Sequence, residues 1–188
     1  MTVIAASEIH GLATTGDKDL KAALSRYLSN PPRRIDRLIF QALLGGALIK
    51  ADIRSDCGLY LASHHPARPT MIALLEAVCV QRKQPKPFEF VNSVSNAAGF
   101  HVAQQLGLEG PNLFIGAGAK VWSQLSNLAR LDLQDGVVSQ ALLLVVDERG
   151  DFCVRGVLLE GRDVPAGDSF EALTAGVEVQ RLELVATF

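Results

Sequence analysis

The sequence predicts an α/β fold with a mixed β-sheet and helices packed on it. Through the first two thirds of the 188 residues, short apolar strand-like runs alternate with helix-periodic segments, the pattern of strands joined by helical crossovers. The last third holds apolar runs separated by short polar turns, the pattern of antiparallel neighbours. No composition shift marks a linker and no repeat is evident, so residues 1–188 read as a single domain, a length suited to one core.

Each element has its own signal. Residues 3–9 form a short β-type segment, followed by a polar stretch in which DLKAALSRYL (19–28) has helical character. In RRIDRLIFQALLGGALIKADI, Ile35, Leu38, Ile39, Ala42, Leu43, Ala47 and Leu48 fall near i, i+3, i+4 spacing, which predicts a helix with one buried face. Gly45 and Gly46 interrupt it; glycine inside a helix costs ~1 kcal/mol against alanine, so the pair implies close packing of another backbone. CGLYLAS (57–63) suits a buried strand. Pro69 favours a helix start, TMIALLEAVCVQRK carries an apolar stripe, and PKPF (85–88) ends it. SVSNAAGFHVAQQLGL (93–108) reads as a helix capped by Ser93 or Ser95 and closed by Gly107. NLFIGAG is a strand, and KVWSQLSNLARLDLQDG a helix ending near Gly136. SQALLLVVDERGDFCVRGVLLEG has the shape of a hairpin whose turn uses Gly150 at positive φ. EVQRLELVATF (178–188) supplies a last strand, with apolar positions at Val179, Leu182 and Leu184.

Composition excludes several functions. Hydrophobic residues make up 48% and charged residues 20%, which argues against disorder. A formal net charge of −2 leaves no basic footprint for nucleic acid. No run reaches the ~18 apolar residues of a membrane span, and MTVIAASEIHGL lacks the basic start and apolar run of a secretory signal. A cytoplasmic protein is expected. Cys57, Cys79 and Cys153 are odd in number and far apart, and read as buried thiols rather than a disulfide or metal framework. No cofactor and no metal are implied.

The stretch GPNLFIGAGAKVWSQLSNLARL (110–131) carries the chemical question. A short strand, three small residues and a helix usually present a nucleophile at the helix mouth. Here there is no Cys, and Ser123 and Ser126 lie inside the helix. GAGAK also lacks the spacing of a phosphate-binding loop.

RRIDRLIFQALLGGAL, GLYLAS, PFEFVNSVSNAAGFHVAQQLGLEGPNLFIGAGA and SQALLLVVDE, in that order from about residue 33 to 148, resemble the N-terminal half of a β-ketoacyl synthase, of thiolase-like fold. The most specific piece is FVNSVSNAAG followed by LGLEGPN. The resemblance implies a Thr-Ala-Cys nucleophile turn after Gly110 and Pro111, falling here on Ala117, Gly118 and Ala119. A cysteine there would accept an acyl chain as a thioester; the methyl of Ala119 cannot. The family's two catalytic His belong to a second half that the resemblance places beyond the region matched. This sequence ends at Phe188, and none of His10, His64, His65 and His101 sits in a matching motif. No catalytic residue and no condensing activity are expected.

Other residues carry open alternatives. Lys120 is either a cation for a carboxylate at the mouth of the former pocket or a solvated lysine that the helix dipole disfavours. Trp122 is a plug for the acyl channel, a partner anchor or plain core. Asn92 and Asn96, which the resemblance places near the active-site entrance and subunit interface, also suit loop stabilisation. His64 and His65 are a metal pair without a nearby carboxylate or a solvated turn; His101, Gln104 and Gln105 are a polar helix face. The resemblance implies a chain length factor-type protein of a type II polyketide, fatty-acid-like or aryl polyene pathway. Its partners would be a ketosynthase in a heterodimer, a second copy in a homodimer, an acyl carrier protein or an acyl chain. The alternatives are a thioesterase or acyltransferase built on Ser93, Ser95 or Ser123, and a structural homodimer without ligand. With no second half to cover it, the helix at 120–133 should expose Val121, Leu125, Leu128 and Ala129, beside Trp122 and Leu131, and the edge strand 113–116 should seek a partner.

Restoring the thiol alone should not restore condensation. Ala119→Cys is expected to give at most slow self-acylation by a reactive acyl donor; malonyl-dependent chain extension by this variant on its own would overturn that reading.

Overall fold

The computed structural model describes residues 2–161 and 167–184. Its centre is a six-stranded mixed sheet in the order β3-β2-β4-β5-β1-β6. The strands are β1 (Thr2–Gly11), β2 (Gly58–Ser63), β3 (Asn112–Gly116), β4 (Gln140–Glu148), β5 (Phe152–Glu160) and β6 (Val179–Leu184). β3, β2 and β4 run parallel, β4, β5 and β1 antiparallel, and β6 parallel to β1. The expected antiparallel ending therefore holds for the β4–β5 hairpin and β1 but not for β6. The final segment 185–188 of the expected last strand lies outside the described residues.

Helices cover both faces. On one lie α1 (Asp17–Leu24), α2 (Arg37–Leu48) and α5 (Ala97–Leu106), whose apolar side chains merge with Leu59, Leu61, Leu142, Leu144 and Val154 of the sheet. On the other, α6 (Val121–Gln134) and α7 (Phe170–Leu173) pack on Tyr60, Leu143, Val145, Val157 and Leu159. β6 serves both layers through alternation: Leu182 and Leu184 join the first core, Val179 the second.

α2 departs from the one-sided helix that its periodicity predicts. Every residue from Leu38 to Ala47 is buried, including Gln41, because α1, α5 and three strands surround it. Asp36 caps it, accepting a hydrogen bond from the Leu38 amide at 2.8 Å and another from the Thr70 hydroxyl. Burial pushes the Asp36 carboxyl above its ordinary value, against the pull of those two donors. The glycine pair does mark a close approach, but the nearest neighbours are side chains rather than a backbone. A Cβ on Gly45 would lie 2.8 Å from Val154 Cγ1, and one on Gly46 2.7 Å from Leu106 Cδ1. Ser7 Oγ fixes the seat by donating to the Gly45 carbonyl at 2.7 Å.

The segment after β2 differs most from expectation. α3 (Arg68–Leu75) continues as a π-helical turn, Glu76–Val80, and none of its side chains is buried. The apolar stripe is real, but it faces outward. α4 (Pro87–Ser93) follows where only a terminator was read. α5 starts after Asn96, not after a serine cap: Ser93 Oγ instead donates to the Phe90 carbonyl at 2.7 Å. Gly107 closes α5 at φ 71° and Gly136 follows α6 at φ 72°, as read. Gly150 does not take positive φ; the β4–β5 turn forms without it. Of the three cysteines expected to be buried, only Cys57 is; Cys79 is exposed and Cys153 half-buried.

Gly45→Val should destabilise the fold by ~1–3 kcal/mol, the usual range for overpacking, read from urea denaturation. An unchanged midpoint would mean that α2 has slack on the sheet.

Candidate functional site

The elbow is assembled from α5 inward. Gly99 on α5 faces Asn112, the first residue of β3, so closely that a Cβ would sit 2.4 Å from its Oδ1. Gly110 passes the β2 entry, where a Cβ would meet the Cys57 carbonyl at 2.6 Å. Glu109 N–H donates to the Ser55 carbonyl and Leu59 N–H to the Pro111 carbonyl, both at 2.7 Å. These contacts set β3 beside β2 in parallel, Leu59 opposite Asn112 through Ser63 opposite Gly116.

Among the described residues β3 is an edge strand, paired only with β2, and its side chains are half-buried or exposed. Ala117 N–H continues the ladder to the Ser63 carbonyl at 2.9 Å; Val121 N–H then closes a turn on the Gly118 carbonyl at 3.1 Å. α6 begins at Val121, two residues later than expected, with Lys120 at its cap and no side-chain capping bond. Ala117 is half-buried, while Gly118, Ala119 and Lys120 are exposed. The strand-turn-helix shape of a nucleophile elbow is thus present, with a methyl group at its tip and solvent in front.

Trp122 is core. It is 7% exposed and its ring lies 5.5 Å from Phe170, over which Arg155 stacks in turn at 5.0 Å. Val121, Leu125, Ala129 and Leu133 are buried beside it against the sheet. This corrects the expectation that α6 lacks cover: the chain covers most of that face itself. What stays open is narrower, a shallow hollow of about 380 Å³ between Ile115, Gly116, Gln124, Asn127, Leu128 and Leu131 at the β3 edge.

Asn92 and Asn96 lie elsewhere. They line a second hollow of about 450 Å³ with Arg33, Arg34, Phe88, Phe90, Phe100 and His101, and none of residues 117–122 lines it. Asn92 Nδ2 donates to the Arg34 carbonyl at 2.9 Å and so holds the turn in which Arg34 has φ 57°. His101 packs edge-on against Phe100, its Nδ1 buried without a hydrogen-bond partner among the described residues, and burial lowers its pKa. Phe88, Phe90 and Phe100 are 62%, 60% and 61% exposed, and Met71, Ile72, Leu75, Val78 and Val80 extend the apolar surface along α3 and the π turn. Sequence reading missed this surface. The signal was there in PFEFV, where apolar residues cluster beside prolines without a partner stripe.

Ser93 spends its hydroxyl on the Phe90 carbonyl, and among the described residues no His is hydrogen-bonded to a Ser. His64 has a carboxylate near it after all, Asp147 at 3.8 Å, while His65 is exposed. Burial pushes the Cys57 thiol up to about 12 and the Cys153 thiol to about 11, away from the thiolate range of reactive cysteines.

By sequence, no family model and no curated protein matches the chain. By structure it is similar to the ishigamide ketosynthase/chain length factor, at 18% identity and TM-score 0.61, over 73% of this chain and 47% of that one. It is also similar to the structure of the ketosynthase ApeO in complex with its chain length factor ApeC from Xenorhabdus doucetiae, at 15% identity and TM-score 0.62, over 85% of this chain and 78% of that one. The ketosynthase from module 6 of the bacillaene synthase of Bacillus subtilis 168 matches at 13% identity and TM-score 0.54, over 85% and 36%. The fold is therefore that of the ketosynthases and chain length factors, thiolase-like, as the motifs implied. The chain spans about half the length of the ishigamide protein, 47% of it.

Trp122→Ala should lower stability by ~3–5 kcal/mol, as large-to-small core changes do, whereas Ala119→Ser at the exposed elbow should stay within ~0.5 kcal/mol. Thermal denaturation of both variants decides this; equal effects would place Ala119 in the core.

Proposed function

We propose that this chain, residues 1–188 as one domain, is a nucleophile-free ketosynthase-like subunit of chain length factor type, cytoplasmic, acting in a polyketide, fatty-acid-like or aryl polyene pathway. The observation that carries the reading is Ala119 at the tip of an intact elbow, directly after an edge strand with one unpaired side. An elbow without a thiol has no acylation to perform, while the surfaces around it remain suited to contact.

Two surfaces support a protein partner. The free edge of β3 offers backbone N–H and C=O groups to a strand of another subunit. The apolar surface of α3, α4 and α5 carries three phenylalanines more than half exposed, the residue type enriched at interface cores. The pairing of a ketosynthase with its chain length factor in the ApeO–ApeC structure supports a ketosynthase as that partner. Among the described residues no helix is long and apolar enough to cross a membrane. The hollow beside Asn92 and Asn96 has an apolar floor and two arginines at its rim, which suits an acyl chain on a phosphate-bearing carrier arm. A homodimer through the same β3 edge is the competing occupant.

Co-expression with the ketosynthase encoded nearest to it, followed by affinity capture and size-exclusion chromatography, tests the reading. A stable one-to-one complex is expected, weakened at least about tenfold by the exposed double variant Phe88→Ser, Phe90→Ser, as loss of interface anchors weakens binding. A chain that elutes alone, or an unaltered complex with the double variant, would contradict it.

A further inference from the structure

A second group of chemistry-bearing side chains lies on the sheet, away from the elbow and unused by the partner-subunit reading. Glu8 and His10 are two apart on β1 and share a face. The β1–β5 register sets Cys153 opposite His10 and Arg155 opposite Glu8. On the other side, β6 sets Arg181 beside Glu8 and Glu183 beside His10. The carboxylate of Glu8, an imidazole nitrogen of His10 and the sulfur of Cys153 all lie within 4.8 Å of one another. Nothing in the linear order of residues 8, 10 and 153 announces this; strand pairing makes it.

We propose that Glu8, His10 and Cys153 bind one divalent transition-metal cation of the zinc class, clamping β1 to β5. The donor set decides the class. One thiolate, one imidazole and one carboxylate form a borderline-soft set that suits zinc and rejects magnesium or calcium, which take oxygen. A tetrahedral cation with bonds of ~2.0–2.3 Å to these atoms needs them roughly 3.5 Å apart. His10 Nε2 and Glu8 Oε1 are already 3.5 Å apart, and the Cys153 sulfur lies within 4.8 Å of both groups.

The surroundings hold the ligands in place. Arg155 Nε donates to Glu8 Oε1 at 2.9 Å, the oxygen that faces His10, and Arg181 Nε to Oε2 at 3.3 Å, which fixes the carboxylate and leaves each oxygen one lone pair for a cation. Two guanidiniums also repel a cation. Glu171, 3.3 Å from Arg155, and Glu183, in register with His10, offset that charge; Asp147, in register with Cys153, is paired with Arg149. Binding must displace the thiol proton that burial holds on Cys153, and its loss adds a further negative charge at the site. Access is from the His10 side: its side chain is 43% exposed and, with Glu183, lines a surface hollow of about 280 Å³.

Cobalt(II) titration of the full chain, reduced and freed of metal, is the test, in a Cys79→Ser background so that the exposed thiol contributes nothing. A near-ultraviolet thiolate-to-cobalt charge-transfer band is expected, saturating at one equivalent and abolished by one equivalent of zinc. Cys153→Ser should remove the band, and His10→Ala should weaken zinc binding at least about tenfold. Zinc should also raise the melting temperature of the background protein, because it binds the folded state. No band in the background protein would overturn the proposal without any further variant. A band that survives Cys153→Ser in a protein still folded by circular dichroism would overturn it equally.

Discussion

The seat of α2 on the sheet is the contact on which the rest of the molecule depends. Gly45 brings the helix down onto Val154 and Leu144, and Ser7 Oγ pins its carbonyl from β1. Gly46 then lets Leu106 of α5 pack beside it. With α5 fixed, Gly99 meets Asn112 and Gly110 meets the Cys57 backbone, which sets β3 in register on β2. The elbow at 117–120 is the end of that chain of contacts. Its position is inherited from packing some seventy residues earlier.

The two faces of the sheet are finished differently. Around α6 the chain completes its own core: Trp122 against Phe170, with Arg155 over the ring and Leu125 and Ala129 beneath. Around α3 and α4 it does not. Fully burying one large apolar side chain is worth ~1.5–3 kcal/mol. Phe88, Phe90, Phe100, Ile72 and Leu75 are each more than half exposed and leave much of that unrealised. Monomers rarely keep so much contiguous apolar surface in water. The combination of a closed α6 layer and an open α3–α5 layer concentrates the demand for a partner on one side of the molecule.

Much of this was legible in the residues. Alternation marked most strand and helix types, Gly107 and Gly136 marked two helix ends, and the small-residue turn before KVWSQL marked the junction of β3 with α6. The failures share a physical cause. Periodicity reports which side chains want burial but not what covers them: the α2 pattern predicts one buried face where the helix is wrapped, and the apolar stripe on α3 faces water. The same limit hid the α6 cover, because Phe170 lies far along the chain from Trp122. Asn92 and Asn96 were grouped with the elbow, yet packing places them in a separate hollow. The Glu8, His10 and Cys153 cluster depends on β1–β5 register, which no local signal encodes.

The central claim is that the β3 edge and the α3–α5 surface are built to be covered by another subunit. Hydrogen exchange followed by mass spectrometry reads both at once, on the dilute chain and on the chain mixed with its neighbouring ketosynthase. Fast exchange at 112–116 in the free chain and strong protection there on mixing is the expected result, with added protection at 71–100. The same pair of segments unchanged by the ketosynthase, while the buried β4 and β5 stay slow in both samples, would contradict the claim.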